Sequence, residues 1–367
     1  LMWNVCGSVP KVENIRDSSM MADAIPRLAV SMRSVLSDAN VQVLEKNNIE
    51  IRFDGLPAWK IDVARNLVNH QYQMFSTSID LSPLCLASMS LEELQRLAAI
   101  ENLGLRGATV LPIDPALNDQ RGGLRIRASY IGQKGRSTDE VENLTVDILN
   151  VLAFARTLED RLTDSAIAGE FSFELYNSRF ETRTIVPPSR FVSNGQVLFQ
   201  GSTERVFGEI TKSLKTDLGF QIRNAGNKTA IVVAPATKTD TPIEIVIRIP
   251  DEIPVFVAHA PLLKITGKTL AEVASLLDEL NAQGEAGHFE FNPVDQVLCF
   301  TAWKHLTNDL RHFSFDHTIL SVNRAYALAA ENLSVAPVQM GGGIVLSFPT
   351  FTVSTNRQAT GIKKNAA

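Results

Sequence analysis

Two rhythms of apolar residues alternate along the chain. Val141, Leu144, Ile148, Val151, Ala155, Leu158 and Leu162 recur at three- and four-residue steps, and Ile319, Val322, Tyr326, Ala329 and Leu333 do the same, so each set predicts one buried face of a helix. Two shorter helices are announced by their starts. Ser90 and Thr269 stand as hydroxyl N-caps before Leu91-Glu92-Glu93 and Leu270-Ala271-Glu272, with acid in the first turn. Period-two runs predict strands over Ile49–Asp54, Trp59–Val63 and Tyr72–Asp80, and again over Thr229–Ala234, Ile243–Ile249 and Val255–Ala260. Two hairpins follow the short helices, Thr109–Ile113 with Leu124–Ile131 and His288–Phe291 with Val297–Trp303.

These elements repeat. A shift of 179 residues lays Leu91 on Leu270, Glu93 on Glu272, Leu97 on Leu276 and Asn102 on Asn281. The same shift lays Leu28, Val35 and Asp38 on Phe207, Leu214 and Asp217, so each copy begins with an amphipathic helix, and then lays Val41 and Val43 on Phe220 and Ile222 at the start of a strand. In the second strand of the hairpins the shift falls to 173, because the first turn, Asp114 to Gly123, is longer, an insertion that loop-closure entropy tolerates. The central strands align only with gaps. The resulting order is helix, antiparallel strands, helix, hairpin, helix, an α+β fold in two tandem copies with helices over the apolar face of each sheet. The expected division is a first domain over 20–165, a linker over 166–202 that holds a hairpin from Phe171 to Val186, a second domain over 203–333, and a flexible uncharged tail over 334–367.

Composition narrows the function. Lys and Arg number 35 against 40 Asp and Glu, a net charge of −5, which disfavours a protein that binds nucleic acid by neutralising phosphates. Cys6, Cys85 and Cys299 are too few and too far apart for a disulfide framework or a zinc knuckle, so a reducing cytoplasm is expected. The uncharged stretch near the end has the length of a membrane span but carries Pro337, Pro349 and Gly341-Gly342-Gly343, and no membrane partner is expected; Leu1 to Gly7 lacks the regions of a secretory signal.

Candidate chemistry is sparse. Five of six histidines, His259, His288, His305, His312 and His317, fall in the second copy. A metal or catalytic site would need them to converge with carboxylates such as Asp316; His312 and His317 sit roughly 140° apart on a helix and do not share a ligand. Neither glycine run, Gly122-Gly123 or Gly341-Gly342-Gly343, is followed by Lys-Ser/Thr, so both read as turns and not phosphate loops. Cys85 and Cys299 read as core, as do Trp59, Trp303, Phe289, Phe291 and Phe300. Asn102 and Asn281, alike in both copies, read as helix C-caps. Arg125 and Arg127 share one strand face, which must be wet or paired. No catalytic, cofactor or metal residues are assigned.

The order of elements, with Leu91, Leu94, Leu97 and Asn102 and the hairpin to Ile131, then Leu270, Val273, Leu276 and Asn281 and the hairpin to Trp303, resembles the YbjN-like family of bacterial sensory-transduction regulators, which shares its fold with type III secretion chaperones. The tandem departs from that family's usual single-domain form. The resemblance implies a non-enzymatic, cytoplasmic, chaperone-like protein that holds a partner polypeptide on apolar sheet or groove surface. It further implies an intramolecular pseudo-dimer, with homodimerisation as an extension of the same pairing. The contact is assigned to Tyr72, Met74, Phe75, Ile79, Val255, Phe256 and Val257, in the strands where the copies diverge, and Phe256→Asp is expected to abolish capture with the fold intact. The alternative is an enzyme that uses histidines of the second copy.

Overall fold

A computed structural model of the chain describes residues 24–36, 38–45, 48–54, 58–67, 72–103, 107–117, 121–133, 137–180, 201–216, 219–234, 242–250, 255–283, 286–306 and 315–333. The first copy comprises α1 (Ala24–Val35), β1 (Ala39–Glu45), β2 (Asn48–Phe53), β3 (Trp59–Leu67), β4 (Tyr72–Leu81), α2 (Leu91–Asn102), β5 (Thr109–Ile113), β6 (Gly123–Gln133) and α3 (Ser137–Asp164). After a short β7 (Ala166–Ile167), β8 (Glu170–Phe171) and α4 (Phe173–Phe180) come α5 (Thr203–Thr216), β9 (Gln221–Gly226), β10 (Thr229–Ala234), β11 (Ile243–Arg248), β12 (Val255–Lys264), α6 (Leu270–Ala282), β13 (His288–Asn292), β14 (Val297–His305) and α7 (Asp316–Leu333).

The fold is α+β, and the two copies share one topology. The first sheet runs β1-β2-β3-β4-β6-β5 and the second β9-β10-β11-β12-β14-β13, every pairing antiparallel. Four strands precede the short helix in each copy. One face of each sheet carries the core. Ile51, Ile61, Phe75, Ile126 and Val110 meet α1 and α3 in the first copy, and Ile245, Phe256, Phe300 and Phe289 meet α5 and α7 in the second.

The short helices start as their sequences require. Ser90 and Thr269 each complete a reciprocal box, accepting from the backbone N–H of Glu93 and Glu272 while those carboxylates accept from the cap residues' own N–H groups. These hydrogen bonds, backbone first and the hydroxyl second, hold the Glu93 and Glu272 carboxyls below the ordinary range.

The expected hairpin from Phe171 takes another form. Its alternation survives only as the two-residue pairing of β7 with β8; Ser172 then accepts from the Leu175 N–H and starts α4, so Phe173 and Tyr176 read as helix, with Tyr176 buried against the first core. Residues 181–186 of that expected hairpin, the tail from 334 and Cys6 lie outside the described residues.

Asn102 and Asn281 are not C-caps. The Asn102 amide donates to the carbonyl of Val110 at 2.8 Å and its oxygen accepts the Val110 N–H at 2.8 Å, while Asn281 does the same to Phe289 at 3.1 and 2.6 Å. Each asparagine therefore staples the end of a helix to the first strand of the following hairpin, and it is fully buried in doing so. The staples also fix the alignment of the copies. Val110 pairs across to Ile126 and Ile79, and Phe289 to Phe300 and Ala260, so the hairpin shift in the second strand is 174, one more than the sequence alone suggests.

Candidate functional site

The two copies pack against each other through α2 and α6, and their contacts come in pairs. α2 reaches β13 where α6 reaches β5, and α3 reaches β14 where α7 reaches β6. Gln95 on α2 donates to Asp278 on α6 at 2.9 Å, Thr109 donates to the Gly287 carbonyl at 3.2 Å, and Arg127 donates to the Asn281 carbonyl at 2.7 Å. Arg125 is held instead by both oxygens of Asp80 at 2.7 and 2.8 Å. The arginine face of β6 is thus paired throughout, as a row of charges on a partly covered strand requires.

The polar side chains with chemical capability gather on the second sheet's other face. Along β14 every second residue, Thr301, Trp303 and His305, points away from the Phe300 and Ala302 core side. By register Thr301 stands between His259 on β12 and His288 on β13. The Thr301 hydroxyl donates to Glu290 at 2.7 Å, and its oxygen lies 2.9 Å from His259 Nδ1, which is also 3.2 Å from Glu290. Because the single hydroxyl proton is committed to Glu290, the Thr301 oxygen is left to accept, and this geometry assigns the imidazole proton to Nδ1. His259, His288, Glu290 and Thr301 are all buried.

A second group lies at the junction of the copies. His305 Nε2 stands 3.5 Å from Asp147 on α3 of the first copy, beyond hydrogen-bonding range. Both are buried. Burial pushes the Asp147 carboxyl well above its ordinary range, with Lys304 pulling the other way, and burial lowers the His305 imidazole to about 4. Burial thus disfavours the charged form of both groups. Gly107 packs here with φ +87°; a side chain at this position would meet the Asn150 amide, which donates to the Gly107 carbonyl.

Across the junction the equivalent positions carry different residues. Counting from the staples, Ile131 stands where the other copy has His305, Tyr130 where it has Lys304, and Ala286 where it has Gly107. Ile148, Val151 and Ala155 match Val322, Ala325 and Ala329 in step and burial, which sets Ser321 in the place of Asp147. A narrow cleft opens on this side, lined by Tyr130, Ile131, Ala286, Trp303, Lys304, Thr318 and Ser321.

The residues assigned to partner contact fall elsewhere. Phe75, Ile79 and Phe256 point into the two cores, and Phe256 packs on Phe315 with ring centroids 4.8 Å apart. Met74, Val255 and Val257 lie on the opposite sheet faces and are buried too. β4 and β12 are both interior strands. Tyr72 begins β4; its side chain lies outside the described residues. As placed, the six described side chains offer no surface to a partner, and Phe256→Asp would put an unpaired carboxylate in the second core. Trp303, Phe289, Phe291, Phe300, Cys85 and Cys299 are buried, and burial raises the Cys85 thiol. His312 and the side chains of Asp316 and His317 lie outside the described residues.

Sequence reasoning weighed the histidines but missed Glu290, Thr301 and Asp147. The signal was present in β13 and β14, where His288-x-Glu290 and Thr301-x-Trp303-x-His305 alternate polar residues with Phe and Ala.

Among the described residues no three His, Cys, Asp or Glu side chains converge as a metal-holding group, and no helix is long and apolar enough to cross a membrane. No family model matches the chain, and no curated protein matches it. Among solved structures, the di-domain ARO/CYC StfQ from the steffimycin biosynthetic pathway is similar at 9% identity and a TM-score of 0.15, over 87% of this chain and 97% of that one, a score too low to carry an argument.

Proposed function

We propose that the chain is a non-enzymatic, chaperone-like binding protein whose two copies close on each other as an intramolecular pseudo-dimer and hold a partner polypeptide in extended form. The reading is the one that the resemblance to YbjN-like regulators implies. The observation that carries it is a contrast in exposure. The described histidines are buried in internal contacts, whereas β1, one of the two outer strands of the first sheet, leaves Val43 and Leu44 exposed; β5, at the other edge, packs against α6. An outer strand presents unpaired backbone groups, and an extended peptide adds to such an edge through main-chain hydrogen bonds with apolar side chains as anchors. In the second sheet the outer strand β13 packs against α2, and β9 is more polar than β1 and has Arg223 paired with Glu244. The contact surface therefore moves from β4 and β12 to β1.

Reduced, carboxymethylated α-lactalbumin, a permanently unfolded polypeptide, tests this reading. Its addition slows hydrogen exchange at the amides of residues 39–45, and Leu44→Lys weakens its binding. Unchanged exchange along β1 at saturating probe would rule the reading out.

The observation that favours an enzyme is the His259–Thr301–Glu290 network, whose spacing suits proton transfer. Its members are sealed from solvent, and His305 lies apart from it with Asp147, so the described histidines do not line an open pocket beside a carboxylate.

A further inference from the structure

The edge offered by β1 is half closed by α1. The Ala39 N–H donates to the Leu36 carbonyl at 3.1 Å, so the backbone of Ala39 faces away from β2, and alternation along the ladder turns Val41 and Val43 outwards with it. The outward carbonyl of Val41 is already taken. Arg33 donates to it from Nε at 3.0 Å and from Nη2 at 2.8 Å. Among the described residues no carboxylate pairs with this guanidinium, so its charge rests on a neutral acceptor, whereas Arg52 and Arg125 of the same sheet are each held by an acid. A guanidinium binds a carboxylate, fork to fork, more strongly than it binds a neutral carbonyl.

The surroundings of Arg33 are apolar. Ser31 bonds Thr145 of α3 at 2.9 Å and Arg33 reaches β1, which fixes how α1 is turned. At about 100° per residue Pro26 and Val30 lie within about 60° of Arg33, on the side away from α3. The chain reverses between Leu36 and Ala39, so Val30 stands towards Val43 from Arg33. Val30 is 61% exposed and Val43, on the sheet face that α1 covers, 41%. We propose, on the reading that an extended polypeptide adds to β1, that the added strand runs antiparallel and carries an aspartate or glutamate opposite Val41, with an apolar residue two positions before it. The backbone N–H of the acidic residue takes the Val41 carbonyl from Arg33, and the released guanidinium pairs with the carboxylate on the α1 side of the sheet. The apolar residue then stands opposite Val43, as a cross-strand pair. The recognised chemistry is apolar-x-acid in extended form; without Arg33 the same edge would accept any apolar strand.

The test uses the full chain labelled with ¹⁵N and two blocked peptides, acetyl-TVTVTETT-amide and the same peptide with glutamine in place of glutamate, read by amide exchange and by fluorescence anisotropy. The acid peptide slows exchange at the Val41 and Val43 amides and binds about fivefold tighter than the glutamine peptide. Arg33→Gln removes that difference, and added salt narrows it. The comparison of the two peptides on the wild-type chain needs no variant, so it decides the matter even if Arg33→Gln does not fold. Equal binding of the two peptides to wild type, or a preference that persists in folded Arg33→Gln, overturns the proposal and leaves strand addition at β1 intact. Failure of both peptides to protect these amides, while carboxymethylated α-lactalbumin still does, overturns it too; failure of all three probes overturns the underlying reading with it. Protection of the Val41 and Val43 amides in the chain alone assigns the edge to a second copy if it rises with protein concentration, or to the chain itself if it does not, and either result overturns the proposal.

Discussion

Replacing Asn102 or Asn281 by alanine removes both hydrogen bonds of a staple at once. In the first copy the change strands the N–H and C=O of Val110, a residue 1% exposed, where neither water nor another side chain substitutes. Each stranded buried group costs about 1–3 kcal/mol, and some relaxation is expected, so the change costs about 3 kcal/mol. With a urea m-value of about 2 kcal/mol/M, the unfolding midpoint of that copy falls by about 1.5 M. Trp59 lies in the first copy and Trp303 in the second, so with Trp3 also replaced by Phe, equilibrium unfolding of Trp59→Phe and Trp303→Phe backgrounds reports each copy separately. The decisive variant is Asn102→Gly. Were the asparagine a C-cap, glycine would be neutral or stabilising, because glycine is preferred where a helix ends in the left-handed region. A staple predicts instead that glycine costs at least as much as alanine. An Asn102→Gly variant as stable as wild type would refute the reasoning, and so would alanine variants at the two positions that differ by more than about 2 kcal/mol.

Other outcomes follow from the same contacts. Ser90→Ala destabilises the first copy by about 1 kcal/mol in thermal unfolding; because the Glu93 carboxyl is depressed in the folded state, the stability it lends is present above its unfolded value and lost as pH falls through the folded one, so this variant also loses part of the acid-limb slope below about pH 4.5. His305 is depressed from 6.5 to about 4, so the unfolded chain binds more protons between those values, and stability rises across that window by about 3 kcal/mol; His305→Gln flattens that rise in urea titrations at stepped pH. Asp147 is raised, so its contribution is present at low pH and is lost as pH rises through the folded value; Asp147→Asn therefore stabilises the chain in alkaline solution relative to wild type. Phe256→Asp unfolds the second copy, seen as loss of near-ultraviolet dichroism, and does not merely remove partner binding.

The sequence made the repeat legible because its markers are local. The capping boxes depend only on residues three apart, and the strand runs Thr109–Ile113 and Thr229–Ala234 match β5 and β10 end to end. What it hid depends on residues far apart in the chain. Asn102 and Asn281 look like caps because a helix ends beside them, and only the fold shows the strand eight residues on that each one ties down. Phe171-Ser172-Phe173 alternates like a strand, yet Ser172 caps a helix whose aromatic residues cover the first core. The divergence of β4 and β12, read as freedom to bind, reflects sheet faces packed in different surroundings: Met74 lies with Ile131 and Ala286 of the junction, and Val255 and Val257 with Trp303. Periodicity identifies an apolar face but not which faces the two copies turn towards each other.

The central claim, that the two copies close on each other within one chain across α2 and α6, is tested most directly by Gln95→Cys combined with Asp278→Cys, positions whose side chains meet at 2.9 Å. A short bismaleimide, which spans the gap left when both side chains are shortened to cysteine, is predicted to link the two thiols inside a single chain, with peptide mapping locating the link and the mass remaining that of one 40.3 kDa chain under denaturing conditions. A cross-link between these positions found only between chains would contradict the account.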